Sequence, residues 1–249
     1  MKFKKITKFH EQYSKRKEVG TGAFGSVYLG MHRATKTPCA IKIIKKSSLE
    51  VHEVYKDLNK NELEVLEDTI HPHITRIFEL MEDNRNYYIV MEIINGGNLL
   101  TKISKLQTFT ENQACHVMKQ LLLALNYMHN LSIMHRDLKP ENILCEENAD
   151  DLDDNDIQIK LTDFGFATKY DANKKQTLSL GSPLYMAPEL CREQQYDNKV
   201  DVWSAGVIAY VLMTGTPPFY DKGRNPSKMG IYKAIINDDY DTTLLSNVS

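Results

Sequence analysis

The pattern of apolar residues in this chain changes near residue 95, and that change restricts the folds the chain can adopt. Before it, short runs of β-forming residues alternate with turns, which is typical of a small sheet. One amphipathic helical pattern, at about residues 56–68, lies between these runs and stops at His71-Pro72. The runs that predict strands are 27–29, 40–44 and 87–91. We therefore expect a sheet with one helix in this first part.

The second part of the chain has long amphipathic patterns instead. The clearest spans residues 114–129, where apolar side chains recur at helical spacing. The residues assigned to its buried face are Cys115, Val117, Met118, Leu121, Leu122, Leu125 and Met128. A β-rich region joined to a helical region by a short Gly-containing connector predicts an α+β architecture with two lobes. We place the N-lobe at about residues 13–91, the connector at 92–97 and the C-lobe at 98–249.

Composition places the chain among soluble globular proteins. Its 249 residues are 42% hydrophobic and 26% charged with a net charge of −2, which argues against nucleic-acid binding through bulk charge. No run approaches the roughly 18 apolar residues of a membrane span, and the N-terminus alternates Lys and Phe where a secretory signal would be apolar. The four cysteines lack C-x-x-C spacing, so we expect no zinc site or disulfide framework and an intracellular, cytoplasmic location.

Two local clusters of charge stand out. The segment 2–17 is basic and is interpreted as a solvated leader. Residues 146–156 contain seven carboxylates in eleven positions. A calcium-binding EF-hand loop needs Gly at its sixth position and Glu at its twelfth, but counting from Asp151 these positions hold Asp156 and Thr162. We therefore interpret the acidic cluster as a solvated insertion.

Residues 20–27, Gly-Thr-Gly-Ala-Phe-Gly-Ser-Val, contain the pattern G-x-G-x-x-G, which dinucleotide-binding proteins and kinases share. A dinucleotide site would open a helix after the third glycine and place an acid about 20 residues further on. Here β-forming residues follow, and the next strand carries Lys42 and ends in Lys45-Lys46. A P-loop would require Gly-Lys-Ser/Thr, which this motif does not have. The sequence therefore favours a glycine hairpin folded over phosphate groups.

Three more motifs follow in a fixed order. They are His135-Arg136-Asp137-Leu138-Lys139-Pro140-Glu141-Asn142, then Asp163-Phe164-Gly165, then Ala187-Pro188-Glu189. With the glycine motif and Lys42, this order and spacing resembles the eukaryotic protein kinases from about Tyr13 onward. The sequence of residues 127–129, 133–135 and 201–207 looks most like that of the calcium/calmodulin-dependent and calcium-dependent kinases. The resemblance implies the two-lobed kinase fold and transfer of phosphate from ATP to serine or threonine of protein substrates.

The resemblance also implies four catalytic residues. Asp137 is expected to accept the proton of the substrate hydroxyl, and Lys139, which marks the serine/threonine branch, to contact the γ-phosphate. Lys42 is expected to hold the α- and β-phosphates while an ion pair with Glu62 orients it. Glu64 would point roughly 160° away from Glu62 around a helix, so it is interpreted as a surface acid.

ATP and Mg²⁺ are the cofactors that the resemblance implies. Asn142 and Asp163 would supply the oxygen ligands that Mg²⁺ prefers. Backbone groups of Glu92 and Ile94 would read the purine edge. The implied ATP-binding residues are Val19, Gly20, Thr21, Gly22, Ala23, Phe24, Gly25, Ser26, Val27, Ala40, Lys42, Met91, Glu92, Ile94 and Leu144.

The resemblance further implies residues that support the site. His135 is interpreted as structural, stacked with Phe164, Leu66 and Ile77 and anchored by Asp201. Ser182 is expected to hydrogen-bond to Asp137 and Lys139.

Regulation is expected at the activation loop, residues 166–187. Arg136 precedes Asp137, which in this family goes with control by a negative charge on that loop. Thr177 and Ser179 are therefore candidate phosphosites for an upstream kinase.

Two features depart from the family pattern. Many relatives that prefer basic substrates carry Gly-Gly-Glu where this chain has Gly96-Gly97-Asn98, which removes one argument for such a preference. The family pattern also continues with further helices after the position of Ser249, so the C-lobe is expected to be truncated. The alternative function is therefore a nucleotide-binding scaffold made inactive by truncation. Calcium or calmodulin control is not visible in these residues.

Overall fold

The fold is described from a computed structural model for residues 4–22, 25–50, 69–146, 157–171, 176–220 and 227–245. The chain divides into two compact units, Met1–Ile93 and Ile94–Ser249. The division falls within the connector at 92–97 that the sequence predicts. The helical pattern at 56–68 and most of the acidic insertion lie outside the described residues.

The first unit is built on one six-stranded sheet. Its spatial order is β1-β5-β6-β4-β3-β2, antiparallel except for β1, which runs parallel to β5. The strands are β1 (Lys4–Lys5), β2 (Tyr13–Gly22), β3 (Gly25–His32), β4 (Pro38–Lys45), β5 (Ile77–Glu82) and β6 (Asn86–Met91). The short helices α1 (Phe9–Gln12) and α2 (Lys46–Glu50) flank β2 and β4. The three predicted strand runs are confirmed.

Alternation along β4 gives the sheet two chemically different faces. Cys39 and Ile41 point to one side, which we call the outer face, and pack there with Val90 in a buried cluster. Ala40 and Lys42 point to the opposite face.

The N-terminal segment covers part of the outer face. Phe9 is 8% exposed, and its ring stacks on that of Tyr88 with centroids 4.1 Å apart and planes 5° apart. The hydroxyl of Tyr13 donates a 2.6 Å hydrogen bond to Glu79. The interpretation of residues 2–17 as a solvated leader is therefore wrong for the apolar residues. It holds for charged side chains such as Lys5 and Lys8, which are exposed, because charges are better solvated by water while aromatic rings gain free energy by burial.

The second unit is mainly helical. Its helices are α3 (Leu99–Leu106), α4 (Glu111–Asn130), α5 (Pro188–Cys191), α6 (Lys199–Thr214) and α7 (Lys228–Asn237). Helix α4 begins at a capping box, in which Thr110 and Gln113 bond each other's backbone N–H groups. It packs against α6. In the described part of the chain, no helix is long and apolar enough to cross a membrane.

The buried face of α4 differs from the prediction at two positions. Val117, Leu121, Leu125 and Met128 are buried as predicted and Met118 is half-buried, whereas Cys115 is exposed and Leu122 is 47% exposed. Leu122 follows Leu121 by about 100° around the helix, which takes it off the buried stripe. Ala114 and Ala124 belong to the buried stripe instead, together with the amide of Gln120.

Two short antiparallel ladders hold the loops of the second unit. One joins β7 (Ile133–Met134) to β10 (Thr168–Lys169), and the other joins β8 (Ile143–Cys145) to β9 (Ile159–Leu161). The first of these loops, residues 135–142, therefore begins at β7 and ends where β8 starts.

Candidate active site

Asp201 fixes the start of the loop 135–142. It is 1% exposed and lies in the first turn of α6. Its Oδ1 accepts the backbone N–H of Arg136 at 2.8 Å, and its Oδ2 accepts that of His135 at 2.9 Å and Nε2 of His129 at 2.9 Å. The predicted anchoring by Asp201 is confirmed. A carboxylate this buried is tolerated because charge-assisted hydrogen bonds replace its hydration.

The anchored loop contains strained backbone. Arg136 has φ of 67°, in the left-handed region that residues with a Cβ avoid. Asp163, in the loop after β9, has φ of 57°. Such conformations cost about 1–3 kcal/mol each and persist where surrounding contacts over-determine them, as the bonds from Asp201 do for Arg136.

The carboxylate of Asp137 is surrounded by donors. Ser182 Oγ donates to Oδ1 at 2.9 Å, while Lys139 Nζ lies 2.9 Å and Asn142 Nδ2 3.1 Å from Oδ2. Lys139 also donates to Ser182 Oγ at 2.8 Å. The predicted contacts of Ser182 with Asp137 and Lys139 are confirmed. Asp137 is only 7% exposed, and hydrogen bonds and an ion pair from these three neighbours compensate the buried charge of its carboxylate.

Asn142 connects this carboxylate to the β8–β9 ladder. Its Nδ2 also donates to the backbone oxygen of Asp137 at 2.8 Å, and its own backbone oxygen accepts the N–H of Thr162 at 2.9 Å. With the amide nitrogen turned to Asp137, the amide oxygen is the atom left for a ligand. Asp163 follows Thr162 directly, so two hard oxygen donors come from neighbouring backbone, which fits Mg²⁺. The described residues contain no group of three or more His, Cys, Asp or Glu that could hold a metal ion by itself.

His135 is fully buried and acts as a structural residue. Its Nδ1 accepts the backbone N–H of Asp137 at 3.2 Å, and its Nε2 lies 3.2 Å from the backbone oxygen of Thr162. The ring lies 5.2 Å from that of Phe164, centroid to centroid. This part of the predicted stack is confirmed, whereas Leu66 lies outside the described residues and Ile77 belongs to the first unit.

Arg136 reaches the activation loop through Tyr196. Its Nε donates to the backbone oxygen of Phe166 at 2.6 Å, and its Nη1 donates to the hydroxyl of Tyr196 at 3.2 Å. That hydroxyl donates in turn to the backbone oxygen of Leu178 at 2.7 Å. Tyr196 also exchanges two 3.0 Å backbone hydrogen bonds with Gln176. Nη2 of Arg136 is buried and has no hydrogen-bond partner among the described residues.

The candidate phosphosites flank this contact. Thr177 lies between Gln176 and Leu178 and is exposed. Ser179 is also exposed, and its Oγ donates to the backbone oxygen of Leu190 at 3.0 Å.

In the first unit, the glycine motif forms the predicted hairpin. β2 and β3 pair up to Gly22 opposite Gly25, with Thr21 opposite Ser26 and Gly20 opposite Val27. Ala23 and Phe24, at the tip, lie outside the described residues.

The glycines of this hairpin differ in what surrounds them. A Cβ on Gly25 would lie 2.1 Å from the backbone oxygen of Ile43, so strand packing alone requires glycine there. A Cβ on Gly20 would meet nothing within 4 Å. The open space at Gly20 is compatible with close approach of a ligand, whereas Gly25 has a structural reason to be glycine.

Four implied ATP-binding residues share one face of the sheet. Val27 pairs with Lys42, and Ala40 pairs with Met91, which places all four side chains opposite the outer face. Lys42 is 5% exposed, while Val19 is 51% exposed. The catalytic partner implied for Lys42, Glu62, lies outside the described residues.

The connector residues occupy both units. The N–H of Glu92 donates to the backbone oxygen of Arg76 at 2.9 Å, and the Glu92 carboxylate accepts the N–H of Arg76 at 2.7 Å. Ile94 and Leu144 are half-buried residues of the second unit. Asn98, the departure from the family pattern, caps α3, because its side-chain oxygen accepts the backbone N–H of Thr101 at 2.9 Å.

Two contributors were missed by the sequence reasoning. Tyr196 and His129 reach the site over long sequence separations, Tyr196 through its hydroxyl and His129 through Asp201. Neither belongs to a motif that indicates such a contact, and the residues on both sides of Tyr196 are polar or charged.

The fold and the loop around Asp137 together define the catalytic domain of a protein kinase. A family model described as "Protein kinase domain" matches residues 13–247, so the chain belongs to the protein kinase family. Its relatives place the chain among the serine/threonine kinases of the calcium/calmodulin-dependent and calcium-dependent group, as the motifs predicted.

The relatives include two kinds of kinase. Myosin light chain kinase A of Dictyostelium discoideum is 38% identical over 218 residues, 86% of this chain and 70% of the relative. Calcium-dependent protein kinase 5 of Plasmodium falciparum is 40% identical over 210 residues, 84% of this chain and 35% of the relative. Calcium-dependent protein kinase 4 of the same organism is 39% identical over 85% of this chain and 39% of its own length. The chain thus spans well under half of these two calcium-dependent kinases.

Proposed function

We propose that this domain transfers the γ-phosphate of ATP to serine and threonine hydroxyls of protein substrates. The observation that carries the proposal is the set of donors around Asp137, namely Ser182, Lys139 and Asn142. They hold a carboxylate in one orientation before any substrate binds, which is the positioning that phosphoryl transfer requires.

Asp137 is the proposed base. The substrate hydroxyl oxygen bonds to the γ-phosphorus while the bond from that phosphorus to the bridging oxygen breaks, and ADP leaves with the electron pair. Asp137 accepts the hydroxyl proton as this happens. Lys139, 2.9 Å from the same carboxylate, brings a positive charge to the place where phosphate charge is transferred.

Asn142 and Asp163 are the proposed Mg²⁺ ligands. The amide of Asn142 is oriented by its two bonds to Asp137, which supports a ligand role for its oxygen. Bound there, Mg²⁺ would offset the negative charge of the ATP phosphates. The strained backbone of Asp163, with φ of 57°, is consistent with a functional demand on its side chain.

Nucleotide binding is assigned to the glycine hairpin, to the sheet face that carries Lys42, to backbone groups of Glu92 and Ile94, and to the side chain of Leu144. The shared face of Val27, Ala40 and Met91 supports this assignment, because an adenine ring prefers a mostly apolar pocket. Glu62 is proposed to orient Lys42.

Control by phosphorylation of Thr177 or Ser179, carried out by an upstream kinase, is also proposed. Nη2 of Arg136 is a buried cationic donor without a hydrogen-bond partner in the described residues, and Thr177 lies next to the segment that Tyr196 ties to Arg136. A phosphate on the loop would satisfy such a donor.

We also propose an intracellular location, and the state of the cysteines supports it. All four are free, and Cys39 and Cys145 are buried. Reduced cysteines suit a reducing compartment, where ATP is also available.

The test is phosphate transfer to a library of peptides with randomised positions around a central serine or threonine. We expect wild-type protein with Mg-ATP to label the library and Asp137→Asn to lose at least about 100-fold in kcat. Ser182→Ala is expected to lower kcat by roughly tenfold, with Ser104→Ala, an exposed hydroxyl on α3, as the matched control.

Two results would contradict the proposal. Labelling that persists in Asp137→Asn would exclude Asp137 as the base. A rise in melting temperature with Mg-ATP, without phosphorylated peptide or ADP, would favour the nucleotide-binding scaffold instead.

A further inference from the structure

A cavity of about 800 Å³ opens on the outer face of the first-unit sheet. It lies between the N-terminal segment and strands β2 to β4. Ser26, Tyr28 and Ile43 line it, whereas Val27 and Lys42 alternate with them to the opposite face of the sheet. The volume falls within the range of about 300–1,000 Å³ that is typical of ligand pockets. The cavity thus lies on the sheet face opposite Lys42, although Thr21, Gly25 and Ser26 of the glycine hairpin also line it.

The lining of this cavity is strongly basic. Four cationic side chains reach it from four places, namely Lys8 before α1, Lys15 on β2, Arg33 after β3 and Lys45 at the end of β4. Asp83 is the acidic residue of the lining.

Asp83 does not neutralise these cations, because its oxygens are already engaged. Oδ2 accepts the hydroxyl of Tyr88 at 2.7 Å. Oδ1 accepts the backbone N–H groups of Arg85 and Asn86, both at 2.7 Å. Burial would raise the pKa of this carboxyl, but these hydrogen bonds, helped by the nearby charge of Lys46, lower it overall.

The cations themselves are only partly compensated. Lys8 pairs with Glu11 at 2.9 Å. Lys15 lies 4.0 Å above the ring of Tyr28, with the carboxylate of Glu18 in its neighbourhood. The Nε of Arg33 donates to a neutral acceptor, the backbone oxygen of His10, at 2.7 Å.

Lys45 has no acidic partner within the described residues, and its side chain is exposed. Arg33 and Lys45 therefore leave net positive charge at the cavity.

The sequence concentrates charge in the same region. Its first fifty residues contain twelve Lys or Arg and three Asp or Glu, whereas the whole chain has 31 and 33. A nearly neutral protein thus presents a basic surface in the part that builds the cavity. Such an asymmetry attracts anionic partners and speeds their association.

We propose that this cavity binds an acidic peptide segment of a partner protein, whose Asp and Glu carboxylates pair with Lys15, Arg33 and Lys45. The cations come from separate strands and loops, so they match several carboxylates spread along a peptide better than one compact phosphate. They also line a concave cavity rather than the flat surface that suits a bilayer. The site is a docking surface and goes beyond the proposed kinase activity.

The test uses a fluorescein-labelled peptide of about twelve residues, rich in Asp and Glu and without Ser, Thr or Tyr. We expect wild-type protein to bind it in the absence of ATP, with affinity that falls at least about fivefold between low salt and 0.5 M NaCl. The double variant Lys15→Glu/Lys45→Glu should weaken binding about tenfold or more. Hydrogen exchange should show protection at residues 8–15 and 43–48 when the peptide is present.

Matched controls separate this site from general charge attraction. Lys36→Glu/Lys119→Glu makes the same change in charge at exposed lysines outside the cavity and should leave affinity within about twofold. The same peptide with Asn and Gln in place of Asp and Glu should not bind. All variants should keep wild-type melting temperatures and activity on the peptide library.

Three outcomes would overturn the proposal. The two double variants could lose affinity equally, protection could appear only in the second unit, or the protein could bind phosphatidylserine vesicles but not the peptide. Loss of library phosphorylation would bear on the proposed kinase function alone, because peptide binding is measured without ATP.

Discussion

The Tyr196 hydroxyl oxygen accepts a hydrogen bond from Nη1 of Arg136 at 3.2 Å. The same hydroxyl donates to the backbone oxygen of Leu178 in the activation loop. Tyr196 is 2% exposed, so both bonds are made away from water. Through this one atom, the residue before Asp137 is tied to the segment that carries Thr177.

Tyr196→Phe should reduce activity, because it removes the hydroxyl that makes both hydrogen bonds and keeps the ring. It leaves a buried donor of Arg136 unpaired, which costs about 1–3 kcal/mol, and we expect kcat/KM for peptide to fall by about tenfold. Tyr232→Phe is the matched control, since the hydrogen bond of the Tyr232 hydroxyl among the described residues goes to the sulfur of Met186, a weak acceptor. Steady-state kinetics and melting curves measure both effects. A wild-type rate in Tyr196→Phe would show that the link does not position the loop.

Gly20→Ala and Gly25→Ala should separate ligand approach from strand packing. The Cβ of Gly25→Ala would collide with the backbone oxygen of Ile43, so we expect a loss of about 2 kcal/mol or more in the free energy of unfolding. Gly20→Ala meets open space and should leave stability within about 0.5 kcal/mol. If the hairpin covers phosphates, Gly20→Ala should raise KM for ATP. Urea unfolding and ATP titrations give both quantities, and equal destabilisation would contradict this division.

Asp201→Asn should destabilise the second unit and lower activity. The new amide cannot accept all the bonds that His129, His135 and Arg136 donate to the carboxylate. An unpaired buried N–H costs about 1–3 kcal/mol, and the strained backbone at Arg136 would lose its support. Asp238→Asn, at an exposed position, is the control. Unfolding curves and kcat measured together test this, and unchanged values in both variants would show that Asp201 is dispensable.

Cys145 should make the protein less stable in alkaline solution. Burial raises the pKa of its thiol from 9.0 to about 11, although the charge of Lys102 opposes this. The folded state therefore favours the neutral thiol. The stability that the buried neutral thiol contributes is complete below pH 9. It is lost between pH 9 and 11, because the thiol ionises in the unfolded chain before it ionises in the folded one. At pH 10.5 the loss is about 2 kcal/mol.

Comparison with Cys145→Ala isolates this effect. The stability difference between wild type and Cys145→Ala should shrink between pH 8 and pH 10.5 when urea unfolding is measured with reductant. Cys115→Ala, at an exposed thiol, is the matched control. A difference that stays constant with pH would contradict the burial effect.

Local sequence determined the strands, the connector region and the order of the motifs. The runs 40–44 and 87–91 were recognisable because alternating and β-branched residues favour a pleated strand whatever packs on it. The motif order around Asp137 likewise resembled the protein kinases, and that resemblance implied phosphoryl transfer, with Lys, Asn and Asp handling phosphate and Mg²⁺. The hairpin was anticipated from the local sequence, whereas the roles of Asp201 and Ser182 were implied by the resemblance to the protein kinases.

The face of helix α4 was predicted less well. Cys115 and Leu122 have apolar side chains, but burial on a helix depends on which stripe meets a neighbour, here α6. Periodicity alone leaves that stripe uncertain by about one residue, or 100°.

By itself, the sequence determined the class of protein, the chemistry of the loop 135–142 and the positions of the strands, because these depend on residue type and short spacing. Only the tertiary structure decided that Phe9 packs on Tyr88, that Tyr196 joins Arg136 to the activation loop, and that Lys15, Arg33 and Lys45 surround one cavity. Each of these contacts joins residues distant in sequence or on different strands. Such contacts arise from burial and strand register, which no local pattern encodes.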